Sequence, residues 1–94
     1  MPMCDFKLVA MITTNEPIKV QSILAEIVGV DGILRTNQGF IVRTTLCGTS
    51  AEDLNQSLFS KLKSTDKNAA LIAEWTRGNT KEKFLDNMPV EILE

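Results

Sequence analysis

Apolar and polar residues alternate along three stretches of the chain, which is typical of β-strands with one buried face. These stretches cover residues 6–13, 40–47 and 69–76. The Asn-Gln-Gly run at 37–39 reads as a hairpin turn, since Asn and Gly tolerate the positive φ that short hairpin loops need. A further strand is therefore predicted just before this turn, and the chain is expected to contain four main strands.

Two other stretches repeat apolar residues at helical spacing, so that each predicted helix has one buried stripe. Asn15 and Pro17 are suited to the start of the first helix, which is predicted to run to about Val28. Gly29 is well placed to end it. Ser50 is the predicted cap of the second helix. The buried stripes are Val20, Ile23, Leu24 and Ile27 in the first helix and Leu54, Leu58 and Leu62 in the second.

The end of the chain, from about residue 78 to residue 94, is predicted to be a short extension. Residues 80–87 are expected to form one or two helical turns that pack through Phe84 and Leu85. Residues 90–93 are expected to form a short edge strand.

The predicted order of elements is β-α-β-β-α-β, followed by the short helix and strand of the extension. This is the split βαβ order of the ferredoxin-like fold. Right-handed crossovers would place both helices on one face of a four-stranded antiparallel sheet. We therefore expect a single α+β domain over residues 1–94, a ferredoxin-like βαββαβ plait whose second sheet face is left open.

The open sheet face is expected to be too apolar to be fully solvated, so a partner is expected to cover part of it. The sequence predicts a homo-oligomer, a dimer or higher, that forms through this face. Arg43 and Glu74 would pair across or around the contact and fix its register. The residues of the predicted interface are Val9, Met11, Ile41, Arg43, Ile72 and Glu74.

The composition is that of a single globular domain: 94 residues, 44% apolar and 23% charged. No apolar run approaches the roughly 18 residues that a membrane span needs, and the first residues lack a secretory signal pattern. No membrane association is therefore expected. Lys and Arg total 10 and Asp and Glu total 12, for a formal net charge of −2. Nucleic-acid-binding proteins usually carry a basic excess, so this balance disfavours nucleic acid as a partner.

The residue types that carry most enzyme chemistry are scarce. There is no histidine, the commonest general base and transition-metal ligand. Cys4 and Cys47 lie far apart and form no zinc-type pair, so two free thiols in the cytoplasm are expected. Arg35, Arg43 and Arg77 could gather on neighbouring strands and bind an anion. We predict no catalytic residue, metal or cofactor, and hence a non-enzymatic protein.

The run TTNEPIKVQSILAEI resembles the opening of ACT-type regulatory domains, which are small βαββαβ modules that bind amino acids and control enzymes or transcription factors. Their pattern is an acidic residue, a spacer, Pro-Gly and then apolar helix positions. Here Asn15 stands at the acidic position, Pro17 matches the Pro and Ile18 replaces the Gly. The chain also looks like the effector domain of leucine-responsive transcription regulators in the succession of three segments, IVGVDGI, GFIVRTTL and SAEDLNQSLFSKL. The resemblance implies a regulatory module with a small-molecule site at Asn15, Glu16, Pro17 and Ile18.

A second resemblance leaves an alternative open. The run QGFIVRTT at 38–45 is similar to the central motif of RNA-recognition modules, where aromatic residues on the sheet face stack on bases. Phe40 matches one aromatic position, although its alternation with Val42 also suits a buried strand. The alternative function is therefore that of a small RNA-binding accessory protein.

Overall fold

The computed structural model describes residues 4–90, which form one antiparallel sheet of six strands with two helices packed on one face. The order across the sheet is β2-β3-β1-β4-β5-β6. A single 3₁₀ turn, Val30–Gly32, precedes β2. The strands are β1 (Cys4–Thr13), β2 (Ile33–Arg35), β3 (Gly39–Gly48), β4 (Ala70–Arg77), β5 (Thr80–Leu85) and β6 (Met88–Val90), and the helices are α1 (Pro17–Val28) and α2 (Ala51–Thr65).

The prediction of a four-stranded ferredoxin-like plait is wrong. The sheet has six strands, and its order is not that of a βαββαβ plait. The difference lies after β4, where the chain turns back twice and adds β5 and β6 to the same sheet. The expected C-terminal extension of helix and edge strand is thus replaced by a β-hairpin that is continuous with the rest of the sheet.

The segment 80–87 forms a strand because of what surrounds it and not because of its own propensity. Lys81, Glu82 and Lys83 favour a helix when taken alone. In the folded protein their backbone pairs with β4, and Phe84 is buried in the core. Tertiary pairing therefore overrides the local preference. Residues 91–93 of the predicted edge strand lie outside the described residues.

The core lies between the sheet and the helices. β1 shows the expected alternation, with every second side chain from Phe6 to Ile12 buried and the intervening ones exposed. Trp75 on β4 is the largest fully buried side chain. The helices contribute Val20 and Leu24 from α1 and Leu58 and Leu62 from α2.

The helix ends follow the predicted positions, with one exception. Ser50 caps α2 by accepting a hydrogen bond from the backbone N–H of Asp53 at 3.1 Å. α1 ends at Val28, and Gly29 follows it with a φ of 79°. The predicted cap by Asn15 does not form, since Glu16 is the residue before α1 and no side chain caps that end.

The β2–β3 hairpin needs its glycine for a different reason from the one expected. None of the residues at 37–39 has a positive φ. Gly39 is instead the first residue of β3 and lies directly opposite Thr13 of β1. A Cβ at this position would collide with the backbone carbonyl oxygen of Ile12. The glycine therefore permits the close approach of two central strands.

Both edge strands of the sheet, β2 and β6, are only three residues long. Pro89 lies in the middle of β6. No helix in the part of the chain from residue 4 to residue 90 has the length and hydropathy needed to cross a membrane.

Candidate functional site

The sheet face opposite the helices, called the open face below, carries apolar side chains across all six strands. Residues directly opposite one another in an antiparallel pair point to the same face of the sheet. Met11 on β1 lies between Ile41 on β3 and Ile72 on β4, and the row continues outward to both edges. This apolar stripe consists, from β2 to β6, of Leu34, Ile41, Met11, Ile72, Leu85 and Met88.

The apolar stripe is in contact with solvent along most of its length. Its exposed fractions range from 39% at Ile72 to 71% at Met88, and Ile41 is half-buried between its neighbours. Val9 lies beside the stripe on β1 and is 47% exposed. Single exposed apolar residues are ordinary, but a contiguous set that spans a whole sheet is typical of an interaction surface.

A second row beside the apolar stripe combines valines with charged residues, and we call it the mixed row. Arg43 and Glu74 flank Val9 from β3 and β4, so that they lie two strands apart. Glu74 is paired within the sheet, since its Oε1 lies 3.5 Å from Nζ of Lys81. Arg43 has no carboxylate within 4 Å among residues 4–90. From β3 to β6 the mixed row is Arg43, Val9, Glu74, Lys83 and Val90.

The structure brings the six predicted interface residues together. They line one shallow depression of about 320 Å³ at the centre of the open face, where β3, β1 and β4 run side by side. The depression also reaches Lys83 on β5. That these residues form an interface stays a prediction, and its members are Val9, Met11, Ile41, Arg43, Ile72 and Glu74.

At the junction between β1 and α1, where a ligand was predicted to bind, the chain is hydrogen-bonded to one of the protein's own carboxylates. Asp66, which follows α2, accepts a hydrogen bond from the Thr14 hydroxyl at 2.6 Å and from the backbone N–H of Asn15 at 3.1 Å. The Thr14 hydroxyl oxygen in turn accepts from the backbone N–H of Glu16 at 2.9 Å. The backbone N–H of Asn15 is therefore already engaged by Asp66.

The same hydrogen bonds hold the Asp66 carboxyl in its charged form. The Thr14 hydroxyl, followed by the backbone N–H of Asn68, lowers the pKa of Asp66 below its ordinary value. The Asp-Lys-Asn run at 66–68 could have indicated part of this arrangement, because Asp often accepts from the backbone two residues ahead. Nothing in the sequence indicated the bond to Thr14, which is 52 residues away.

The other residues of the predicted ligand site are placed around the first turn of α1. Ile18 is 80% exposed, Glu16 is exposed and Pro17 is half-buried. Ile18 therefore presents an apolar side chain to solvent where ACT-type domains have a glycine. Amino-acid binding at Asn15, Glu16, Pro17 and Ile18 stays a prediction.

A buried polar network on the helix side of the sheet was not predicted from the sequence. Asn55 on α2 is fully buried, and its Nδ2 donates to the backbone carbonyl of Asp86 at 2.9 Å and to Oδ1 of Asn87 at 3.2 Å. Its Oδ1 accepts from Nε1 of Trp75 at 3.2 Å. Asp86 has a φ of 56° and accepts from the backbone N–H of Leu71 at 2.9 Å. The network fixes the β5–β6 turn, and with it the outer third of the apolar stripe.

The aromatic residues do not supply a platform for stacked bases. The four phenylalanines and the one tryptophan all lie within residues 4–90, and none is exposed on the open face. Phe40, the residue on which the RNA-binding alternative depends, is fully buried. That alternative stays a prediction, but it would need a mode of binding other than stacking on this face.

The three arginines do not gather. Arg35 lies over the ring of Phe40, 5.5 Å from its centroid, Arg43 is on the open face, and Arg77 is at the end of β4. Among residues 4–90 there is also no group of three or more His, Cys, Asp or Glu side chains arranged to hold a metal ion. The open face is therefore the best-defined candidate site.

No family model, curated protein or solved structure matches the chain.

Proposed function

We propose that the protein is a non-enzymatic interaction module that associates with itself through the open face. The observation that supports this function is the apolar stripe, which crosses all six strands without a charged residue. Removing apolar surface from water contributes about 25 cal/mol per Å². A contact that covers the stripe therefore has a strong driving force.

The open face is large enough for a stable contact. Six strands spaced by about 4.8 Å form a sheet about 24 Å wide, and a ten-residue strand is about 33 Å long. β1 and β3 at the centre each have ten residues. Because the outer strands are shorter and the six strands hold 40 residues together, the face covers on the order of 600 Å² in projection. Two such faces reach the lower end of specific, stable interfaces, about 1,200 Å² in total.

A second copy of the chain fits this surface because sheets pack well against sheets. Two sheets that meet face to face interleave their side chains about 10 Å apart, with their strands within about 30° of each other. The open face presents a straight apolar row with residues of similar size on either side of Met11. Such a row is complementary to another copy of itself.

Sedimentation equilibrium over a wide concentration range tests the proposal. The unmutated protein is expected to form a dimer or higher homo-oligomer at tens of micromolar. Ile41→Glu is expected to give a folded monomer, because it places an unpaired charge in the contact. The matched control is Ile18→Glu, the same change at a residue of α1 that is 80% exposed and lies on the other side of the molecule. It is expected to leave self-association unchanged.

A monomer at several hundred micromolar would overturn the proposal. So would an Ile18→Glu variant that dissociates as readily as Ile41→Glu, since the contact would then not lie on the open face. Circular dichroism of each variant shows whether a loss of association comes from unfolding.

Ligand sensing at the β1–α1 junction and a regulatory role in the cytoplasm are further predictions, which rest on the sequence. If an amino acid binds at Asn15–Ile18, millimolar concentrations of it should raise the melting temperature, because it would bind the folded state alone. A panel of the common amino acids tests this. The absence of any shift would leave self-association as the whole of the proposed function.

A further inference from the structure

We infer that two copies of the chain pack face to face about a two-fold axis that runs along β1, with Arg43 of each copy paired to Glu74 of the other. This inference rests on the proposed function, since it specifies the geometry of the same contact. It follows from the arrangement of charges beside the apolar stripe and from how much of the stripe each placement of the axis covers.

Two orientations of a two-fold axis lay one apolar stripe on another. In the first, the axis runs along the stripe, at right angles to the strands. Each residue of the mixed row then faces, in the second copy, the row that lies on the opposite side of the stripe. Arg43 would then lie over Gly39 of the second copy, and Glu74 over Ala70. Both charges would be covered by small uncharged residues, which is unfavourable.

In the second orientation, the axis runs along the strands and the mixed row faces itself. With the axis on β1, the strand β3 lies over β4 of the second copy. Arg43 then meets Glu74, and Ile41 meets Ile72. Met11 lies on the axis and meets its own counterpart, while Leu34 of β2 meets Leu85 of β5.

Every other position of the same axis leaves Arg43 without a carboxylate opposite it, and several bring like charges together. An axis between β1 and β4 lays Arg43 over Lys83 of the second copy. An axis on β3 or on β4 lays Arg43 over Arg43, or Glu74 over Glu74, respectively. Like charges placed together in an interface disfavour that arrangement. An axis between β4 and β5 would also give two ion pairs, Glu74 with Lys83 of the other copy, but it leaves the stripe uncovered on β2 and β3. The axis on β1 gives two ion pairs and also covers the stripe from β2 to β5.

The charge partners that Arg43 and Glu74 have within a single copy agree with this pairing. Arg43 has no carboxylate within 4 Å among the described residues, and Glu74 is two strands away, about 10 Å. One oxygen of Glu74 lies near Lys81, and a carboxylate can accept from further donors with the other. Lys7 would face its own counterpart, but it lies two rows from the stripe, where its long side chain can turn to solvent.

Charge reversal tests the ion pairs. Arg43→Glu and Glu74→Arg are each expected to raise the dissociation constant at least tenfold, because each sets like charges against one another in the contact. The double variant restores opposite charges and is expected to recover most of the lost affinity. Recovery is incomplete because Arg at position 74 would lie beside Lys81. Sedimentation equilibrium measures all four proteins.

Cross-linking tests the position of the axis. In a background with both native cysteines replaced by Ser, Met11→Cys places two thiols across the roughly 10 Å between packed sheets. A short bismaleimide is expected to join them into a covalent dimer. The matched control is Leu85→Cys, since Leu85 is 53% exposed and Met11 52%. Two copies of residue 85 would lie four strand spacings apart, about 19 Å sideways, and are not expected to react.

The possible results separate the two proposals. If the unmutated protein is a monomer, both the proposed function and this geometry are overturned. If it is a dimer but the double charge variant shows no recovery, the ion pairs are overturned while self-association stands. Cross-linking at residue 85 instead of residue 11 would likewise overturn the axis on β1 and leave the proposed function intact.

Discussion

The indole Nε1 of Trp75 donates a hydrogen bond to Oδ1 of Asn55 at 3.2 Å, and both side chains are fully buried. The amide of Asn55 continues the chain of hydrogen bonds to the carbonyl of Asp86 in the β5–β6 turn. This turn precedes Met88 and follows Leu85, the last two residues of the apolar stripe. A polar contact inside the core therefore determines where the outer part of the open face lies.

Replacement of Asn55 by Ala should destabilise the fold by about 2–4 kcal/mol, because it leaves the Trp75 N–H and the Asp86 carbonyl buried without partners. Urea unfolding followed by circular dichroism measures the effect. The control is Gln56→Ala, an exposed neighbour on the same helix, with an expected change within about 0.5 kcal/mol. Equal losses for the two variants would show that the network contributes little.

Replacement of Gly39 by Ala should destabilise the protein by about 2–4 kcal/mol, since the new Cβ would push β3 away from the Ile12 carbonyl of β1. Gly78→Ala is the control. Gly78 has a φ of 59° and nothing within 4 Å of its Cβ position, so its substitution costs only backbone strain, about 1 kcal/mol. Chemical denaturation compares the two. A smaller loss at Gly39 than at Gly78 would contradict the close approach seen here.

Asp66 should make stability depend on pH in acid. Its pKa in the folded state is lowered, first by the Thr14 hydroxyl, whereas its ordinary value is 3.8. The stabilisation from the charged carboxylate is therefore complete above pH 3.8 and is lost as pH falls through the lowered pKa. Thermal melts of the protein and of Asp66→Asn should differ most near neutral pH and converge as the pH falls through the lowered pKa of Asp66. A difference that stays constant across this range would contradict the assignment.

The two thiols should not form a disulfide within one chain. Cys4 lies opposite Gly48 and Cys47 opposite Asp5, so the cysteines are on neighbouring strands but point to opposite faces. Cys4 packs against the core, and Cys47 is exposed. Mass spectrometry after mild oxidation should find no intramolecular bond. A thiol reagent should modify Cys47 quickly and Cys4 slowly, and Cys47→Ser should remove the fast reaction.

The elements with strong local periodicity could be predicted from the sequence. The alternation from Phe6 to Ile12 and the spacing of Val20 and Leu24 each indicate a buried face, and the structure buries these residues. Such patterns depend on neighbours a few positions away. They do not depend on how the elements are arranged.

The C-terminal hairpin could not be predicted in the same way. Residues 80–85 are a strand because they pair with β4, and their turn is held by Asn55, which is 31 residues distant from Asp86. The fold prediction failed for this reason, since two strands were missing from the expected sheet. Arrangements fixed by contacts this far apart in sequence leave little trace in local propensity.

The candidate site was foreseen in part. The alternation of the central strands was enough to group Met11, Ile41 and Ile72 on one face. The continuation of the stripe to Leu85 and Met88 required the extra strands and their register. The sequence therefore indicated the centre of the surface but not its extent.

The short edge strands bear on how large an assembly of this protein can grow. A sheet becomes a fibre when a long, flat edge offers unpaired backbone groups to the next chain. Here β2 and β6 each span three residues, and Pro89 removes one backbone donor from β6. Lateral polymerisation is therefore discouraged at both ends. Association through the open face is therefore expected to stop at two copies and not to continue from edge to edge.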